Sequence, residues 1–231
     1  PNRAPVELDL FATSTAEDTS RLITQDMLLA NFKDADGDAL TAGTLSVSGG
    51  TVVDNLDGTW TFTPDADFNG LIDLTFLVSD GETSIPGSGI INVTPVNDAP
   101  VAGDVDLGAT QEDNSFTITE ADLLANASDI DGDSLSVTSV SVAADYGLLI
   151  DNLDGTWTFT PVADLNADDV PFAFTVSDGT TTDDATAILD ITAVNDGPVA
   201  GDVDLGATAE DTSFIITEAD LLASSSDIDG D

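Results

Sequence analysis

Two acidic signatures recur along this chain at matching intervals. A Glu-Asp pair stands at Glu17-Asp18, Glu112-Asp113 and Glu210-Asp211, and a DxDGD loop begins at Asp34, Asp129 and Asp227. Both step by 95 and then by 98 residues. Carboxylates at fixed loop positions suit a hard cation such as calcium, which takes about 6–8 oxygen ligands and tolerates shared ones. The chain has no His and no Cys, so the nitrogen and sulfur ligands that zinc and copper prefer are missing. The same absences argue against catalysis. There is no imidazole base, no Ser-Lys dyad is in view, and Lys plus Arg total 3. Two acids can cleave glycosides, but these acids repeat identically and point to no cleft. The chemistry expected is cation binding by a structural protein, with no catalytic residue.

Composition supports this. The 231 residues include 45 Asp plus Glu, for a net charge of −42. Such a surface repels phosphate, so nucleic acid is excluded as a partner, and an anionic membrane surface is disfavoured. The charge also opposes compaction unless counterions relieve it. Hydrophobic residues make up 41% and fall in alternating runs, which argues for folded domains rather than disorder. No signal peptide and no apolar run of membrane-spanning length is found. The chain opens and closes inside a repeat, as expected for a piece of something longer.

The elements that must position the acids follow from the repeat. VNDAPVAGDVDLGATQED at Val96–Asp113 returns as VNDGPVAGDVDLGATAED at Val194–Asp211; NLDGTWTFTP occurs at Asn55 and Asn152, and VSDG at Val78 and Val176. Repeat 1 is read as 1–98, repeat 2 as 99–196, and 197–231 as an incomplete repeat 3 holding strands A and B alone. Periods near 100 mean independent domains in series, not solenoid units. In repeat 2, strands are predicted at Val101–Ala109, Ser115–Thr119, Ser134–Val142, Leu148–Asp151, Thr156–Thr160, Pro171–Val176 and Ala185–Val194, labelled A to G. Trp157 and Phe159 alternate with threonines, a half-buried pattern. Seven short strands predict an all-β fold of tandem immunoglobulin-like sandwiches. Thr119-Glu-Ala-Asp122 resembles a capping box before Leu123 and Leu124, with counterparts at Thr24 and Thr217.

Strand parity then places the acids. If each strand reverses the last, the A–B loop (Glu112), the E–F loop (Asp164) and the exit of G (Asn195-Asp196) share the lower pole. The B–C loop (Asp129, Asp131, Asp133) and the F–G loop (Asp178) share the upper pole. Repeats joined head to tail bring lower acids of one to upper acids of the next. The repeat 1–2 junction would combine Glu17, Asp65, Asp67, Asn97 and Asp98 with Asp129, Asp131 and Asp178. Those seven carboxylates would supply roughly two or three calcium ions.

NDAP, a Glu-Asp pair, DxDGD, GTWTFTP and VSDG, in this order and spacing, resemble the bacterial cadherin-like repeats of large RTX-type surface adhesins. The resemblance covers both complete repeats and the fragment. It implies cadherin-like Greek-key sandwiches and calcium between domains. The implied ligands are Glu17, Asp65, Asp67, Asn97, Asp98, Asp129, Asp131 and Asp178 at one junction, and Glu112, Asp164, Asn195, Asp196, Asp227 and Asp229 at the next. At the N-terminal end they are Asn2, Asp34, Asp36 and Asp80. Arg3 replaces the linker Asp there, which weakens that site. Val162 stands where repeat 1 has Asp65, so the second junction loses a carboxylate and the first is expected to bind most tightly.

The function expected is a calcium-rigidified extender of a secreted or bacterial cell-surface adhesin, projecting a distal binding domain, as in biofilm attachment. Its partners would be calcium and neighbouring repeats, without membrane insertion. A glycan- or protein-binding module, or weakly self-associating repeats, are the alternatives. The NLDG acids Asp57 and Asp154 read as hairpin-turn residues, and the Thr-x-Thr-x-Thr rows as solvated strand faces. DxDGD lacks the flanking helices and position-12 Glu of an EF-hand. Repeat 3 is too short to enclose a core and is expected to be loosely ordered or to pair with another chain.

Overall fold

A computed structural model describes residues 1–229. The backbone divides into two compact units, Pro1–Asp98 and Ala99–Asp231. In the first unit strands run β1 (Val6–Glu7), β2 (Phe11–Ala16) and β3 (Arg21–Thr24), then helix α1 (Gln25–Leu29). Strands β4 (Phe32–Lys33), β5 (Thr41–Val47), β6 (Thr51–Asp54), β7 (Thr59–Thr63), β8 (Gly70–Ser79) and β9 (Ser84–Thr94) follow. The second unit holds β10 (Val105–Gln111), β11 (Phe116–Thr119), helix α2 (Glu120–Leu123), β12 (Ser136–Val142), β13 (Gly147–Asp151), β14 (Thr156–Pro161), β15 (Ala167–Ser177), β16 (Thr182–Thr192) and helix α3 (Glu218–Leu222).

Each unit contains the expected sandwich. The first pairs a four-stranded sheet, β2-β9-β8-β5, with a three-stranded one, β3-β7-β6. The second repeats this as β10-β16-β15-β12 over β11-β14-β13. First and last strands lie side by side and parallel, with Val105 opposite Ala187 and Gln111 opposite Thr192. That pairing follows from an even number of reversals between them, and it puts chain entry and chain exit of a repeat at opposite poles.

The cores follow the alternation read from the sequence. Trp157 and Phe159 point inward from β14 while Thr158 and Thr160 do not, and Phe172, Phe174 and Val176 face them from β15. Phe159 and Phe172 meet edge to face, centroids 4.9 Å apart and planes at 89°. Such a pair adds about 0.5–1.5 kcal/mol beyond the apolar area it buries. In the first unit a different pair, Phe32 and Phe76, meets edge to face at 5.8 Å. Gly87 permits it: a Cβ there would stand 2.6 Å from the Phe76 ring and 2.8 Å from Phe32.

The short helices are set by their caps. Thr119 accepts from Asp122 N–H while the Asp122 carboxylate accepts from Thr119 N–H, a reciprocal capping box repeated by Thr217 and Asp220. At Thr24 the third helical residue is Met27, so only the Thr24 half of the box forms. Leu28 and Leu123 drop fully into the two cores.

Three expectations are corrected. Strand A starts later than Val101; its first residues form a single bridge, Val101 to Ser128, and the ladder begins at Val105. Strand F starts earlier, at Ala167, because a bulge at Asp168 and Asp169, with Asp169 in the left-handed region (φ 55°), lets the pairing continue past Val170 to Ala167. Acidic residues hid that strand, since Asp is depleted in strands. Repeat 3 forms neither strand A nor strand B: among the described residues of 197–229 there is a bridge, Val199 to Ser226, and α3. In repeat 2 those strands pair with β16 and β14, and the described residues 197–229 hold no counterpart of either. Phe214, Ile215 and Ile216 are left exposed.

Candidate metal centres

The lower pole of the second unit is built by three loops. Strand β10 ends at Gln111, but Glu112 N–H still bonds Thr192 O (2.9 Å), so the next side chain turns inward. Glu112 is 3% exposed. Its Oε1 accepts Val194 N–H at 2.5 Å, which ties the end of the first strand to the outgoing link. Asp113 and Asp164, in the A–B and E–F loops, both take left-handed backbone (φ 61° and 58°). In the link, Asn195 Nδ2 donates to Asp196 O (2.7 Å).

The DxDGD loop of repeat 3 comes down onto this pole. Asp227 Oδ1 accepts Asp229 N–H (2.9 Å) and closes the turn; Asp229 Oδ2 accepts Asp196 N–H (2.6 Å). Two carboxylate groups result. Oxygens of Glu112, Asp196 and Asp229 lie within 4.8 Å of one another, and so do oxygens of Asp113, Asp164 and Asp196. Asp196 belongs to both. Its Oδ2 is buried with no hydrogen-bond partner among the described residues. Desolvation, and then the charges of Asp164, Asp229, Asp113 and Glu112, push the Asp196 carboxyl above the usual carboxylate range. A cleft of about 370 Å³ opens beside it, lined by Asp164, Asp196, Asp227 and Ser226.

The lower pole of the first unit repeats this construction. Glu17 N–H bonds Thr94 O (3.0 Å) and Glu17 Oε1 accepts Val96 N–H (2.5 Å). Glu17 is 2% exposed, and its Oε2 is buried without a partner. Asp18, Asp67 and Asp98 bring oxygens within 4.8 Å of one another. Asp67 N–H also reaches Asp18 Oδ1 (3.4 Å), and Asn97 Nδ2 donates to Asp98 O (2.7 Å). Asp65 is engaged elsewhere, where its Oδ2 accepts Gly50 N–H (3.0 Å) in the β5–β6 turn.

The upper poles carry the DxDGD loops. In the first unit Asp34, Asp36 and Asp38 converge within 4.8 Å. Asp34 Oδ1 accepts the N–H groups of Asp36 (2.8 Å) and Asp38 (3.1 Å), while Oδ2 is buried without a partner. Arg3 N–H binds Asp36 Oδ2 (2.8 Å), the same backbone clasp that Asp196 makes with Asp229. Asp80 accepts from Thr83 and Glu82 N–H, and Asn2 Nδ2 donates to its Oδ2 (3.0 Å). The Thr83 N–H, then Asn2, then the Glu82 N–H hold the Asp80 carboxyl below its ordinary range. In the second unit Asp129 Oδ1 accepts Asp133 N–H (3.2 Å) and Oδ2 is buried without a partner. Asp131 is exposed in the same loop. Asp178 accepts from Thr180 and Thr181 N–H, both at 2.6 Å.

Sequence reasoning missed Asp18, Asp38 and Asp113 as members of these groups. The signal was present, since each belongs to a recurring motif. The predicted turn residues Asp57 and Asp154 cap their hairpins, each accepting from the following Thr N–H and hydroxyl.

The donor chemistry fits a hard cation. The acids clustered at the poles offer oxygen alone, and buried carboxylate oxygens of Glu17, Asp34, Asp129 and Asp196 lack a hydrogen-bond partner among the described residues. Buried carboxylates are costly unless paired or bound to metal.

In comparison with known proteins, the model of the cadherin-like domain matches residues 1–94, 96–192 and 194–231. The chain belongs to the cadherin-like domain family. Cadherin-like domains are extracellular, adhesion-type repeats without enzymatic activity, and they generally bind calcium. No curated protein matches the sequence. Among solved structures, human protocadherin-24 EC1-2 shares the fold at 19% identity and a TM-score of 0.52, covering 85% of this chain and 100% of that one. Drosophila N-cadherin EC1-4 aligns at 17% identity and a TM-score of 0.49, covering 83% and 50%. An endo-fucoidan hydrolase from glycoside hydrolase family 107 aligns at 25% identity with a TM-score of 0.34 over 82% of this chain. The cadherin-like chain spans 29% of that enzyme's length. No helix among the described residues is long and apolar enough to cross a membrane.

Proposed function

We propose that these cadherin-like repeats, 1–98, 99–196 and the start of a third at 197–231, form a calcium-rigidified extender of a large adhesin of the RTX type. It would lie at the bacterial cell surface and hold a distal binding domain away from it, with no catalytic role of its own. The observation that carries this reading is the convergence at the Asn195-Asp196 link. Carboxylates from repeat 2, the link and repeat 3 meet within 4.8 Å, around a buried Asp196 oxygen that lacks a hydrogen-bond partner among the described residues.

Bound calcium would neutralise these carboxylates and bridge elements on both sides of the link. The chain's own residues do the positioning. Glu112 clamps the link at Val194 N–H, Asp229 clasps Asp196 N–H, and Asp164 reaches the same spot from the E–F loop. Without cations these like charges repel and the link is free to flex. The other ligands proposed are Glu17, Asp67, Asn97 and Asp98 below the first core, Asp129, Asp131 and Asp178 above the second, and Asn2, Asp34, Asp36 and Asp80 above the first. Asp227 and Asn195 complete the set. The test is small-angle scattering and thermal melting in calcium and in chelator. Calcium is expected to lengthen the particle and raise the melting temperature. Identical dimensions and melting in the two conditions would sink the reading.

A further inference from the structure

We infer that Asp18 and Asp113, the second residues of the Glu-Asp pairs, are cation ligands of the two lower poles, and that Asp65 is a turn residue. This rests on the calcium reading above and changes which carboxylates serve it.

The geometry assigns the roles. Asp18 stands with Asp67 and Asp98, and Asp113 with Asp164 and Asp196, each set within 4.8 Å. The two triads occupy corresponding positions in the two repeats. A ligand is called for independently of the clustering. Glu17, next in the chain to Asp18, is 2% exposed, and its Oε2 is buried without a partner. A Glu17 carboxylate oxygen lies within 4.8 Å of Asp98, the residue that completes the Asp18 triad. At the second pole, the shared Asp196 presents a buried Oδ2 without a hydrogen-bond partner among the described residues.

The plain alternative is that Asp18 and Asp113 merely shape a turn. Both have left-handed backbone, φ 56° and 61°. Gly and Asn meet that demand at least as well as Asp. A turn alone therefore does not explain a carboxylate at this place in every repeat, Asp211 (φ 61°) included. Asp65 shows the opposite pattern. Its Oδ2 is used by Gly50 N–H, and repeat 2 dispenses with it by placing Val162 at the same position. Losing that carboxylate leaves the triad of repeat 2 intact, so the Val162 replacement by itself gives no ground for ranking the first lower pole as the tighter one.

The test is calorimetric titration of the full chain with calcium, comparing Asp18→Asn, Asp113→Asn and Asp65→Asn. Asn keeps the left-handed backbone favourable, and at position 65 its amide oxygen still accepts Gly50 N–H. Circular dichroism and melting in chelator confirm that each variant folds. Asp18→Asn and Asp113→Asn are each expected to weaken one class of sites by about tenfold or more, the scale seen when even an outer-shell partner of a metal is removed. Asp65→Asn should titrate like the parent chain. Unchanged titration of both Asp18→Asn and Asp113→Asn, or a loss in Asp65→Asn equal to theirs, overturns the assignment and leaves the extender reading standing. A parent chain that binds no calcium overturns both.

Discussion

Glu112→Gln separates a carboxylate kept for an ion from one kept for the fold. The side chain is 3% exposed and its Oε1 accepts Val194 N–H. Gln keeps the shape and the accepting oxygen and removes the charge. A hydrogen bond to a charged group is worth about 1.5–3 kcal/mol against about 0.5–1.5 for a neutral one, so the substitution costs roughly 1 kcal/mol there. In chelator that cost is offset by removing a negative charge beside Asp196 and Asp229, and the melting temperature should stay level or rise. In calcium the variant also forfeits one site, about 2.7 kcal/mol when the ion is at 100 times its dissociation constant. For a domain of this size 1 kcal/mol moves the midpoint by about 4–8 °C. A fall of more than about 10 °C is therefore expected in saturating calcium alone. The assay is differential scanning calorimetry of parent and variant in both conditions. Equal shifts in calcium and in chelator would refute the reasoning, because the carboxylate would then be serving the fold. Glu112→Ala supplies the contrast: it leaves Val194 N–H without its acceptor and should destabilise in both conditions, by about 1–3 kcal/mol.

Three further outcomes are expected. Phe172→Ala removes a fully buried ring and its edge-to-face contact with Phe159; it should cost about 3–5 kcal/mol, read as a lower denaturant midpoint in calcium and in chelator alike. Leu153 is 89% exposed with φ 61°, so Leu153→Asn should stabilise by about 1 kcal/mol by relieving left-handed strain; a lower midpoint would contradict this. The Asp196 carboxyl is raised in the folded chain, first by desolvation and then by neighbouring acids. The folded state therefore binds its proton more readily than the unfolded one, and apo stability should rise as pH falls from above the folded value towards the ordinary one. In chelator the midpoint of the parent chain should climb more on acidification than that of Asp196→Asn, and parallel curves would count against it.

Much of the fold was legible because strand alternation is a short-range signal. Trp157 and Phe159 betray their strand through the threonines between them, and counting reversals places Glu112, Asp164 and Asp196 at one pole, where the structure brings them. What was missed depends on side-chain geometry. Asp65 and Asp67 look equivalent in the sequence, yet one bonds Gly50 N–H and the other joins the triad. Asp18 is visible in the sequence only as half of a Glu-Asp pair, and the left-handed backbone that accompanies its place in the triad is not written in residue type. Repeat 3 shows the limit of local pattern. Phe214–Ile216 carries the same strand signal as Phe116–Ile118, but a strand exists only where a partner strand lies beside it.

The parallel pairing of β10 with β16 has a mechanical consequence. The chain enters a repeat at the start of one strand and leaves it at the end of its neighbour. Tension applied through the backbone pulls these two strands past each other along their length. The ladder from Val105–Ala187 to Gln111–Thr192 is loaded in shear, so its hydrogen bonds resist together rather than unzipping singly from one end. The Glu112 bond to Val194 N–H lies at the exit of that ladder, where the load leaves the sandwich for the link. Under such a load the sandwich resists along the whole β10–β16 ladder at once.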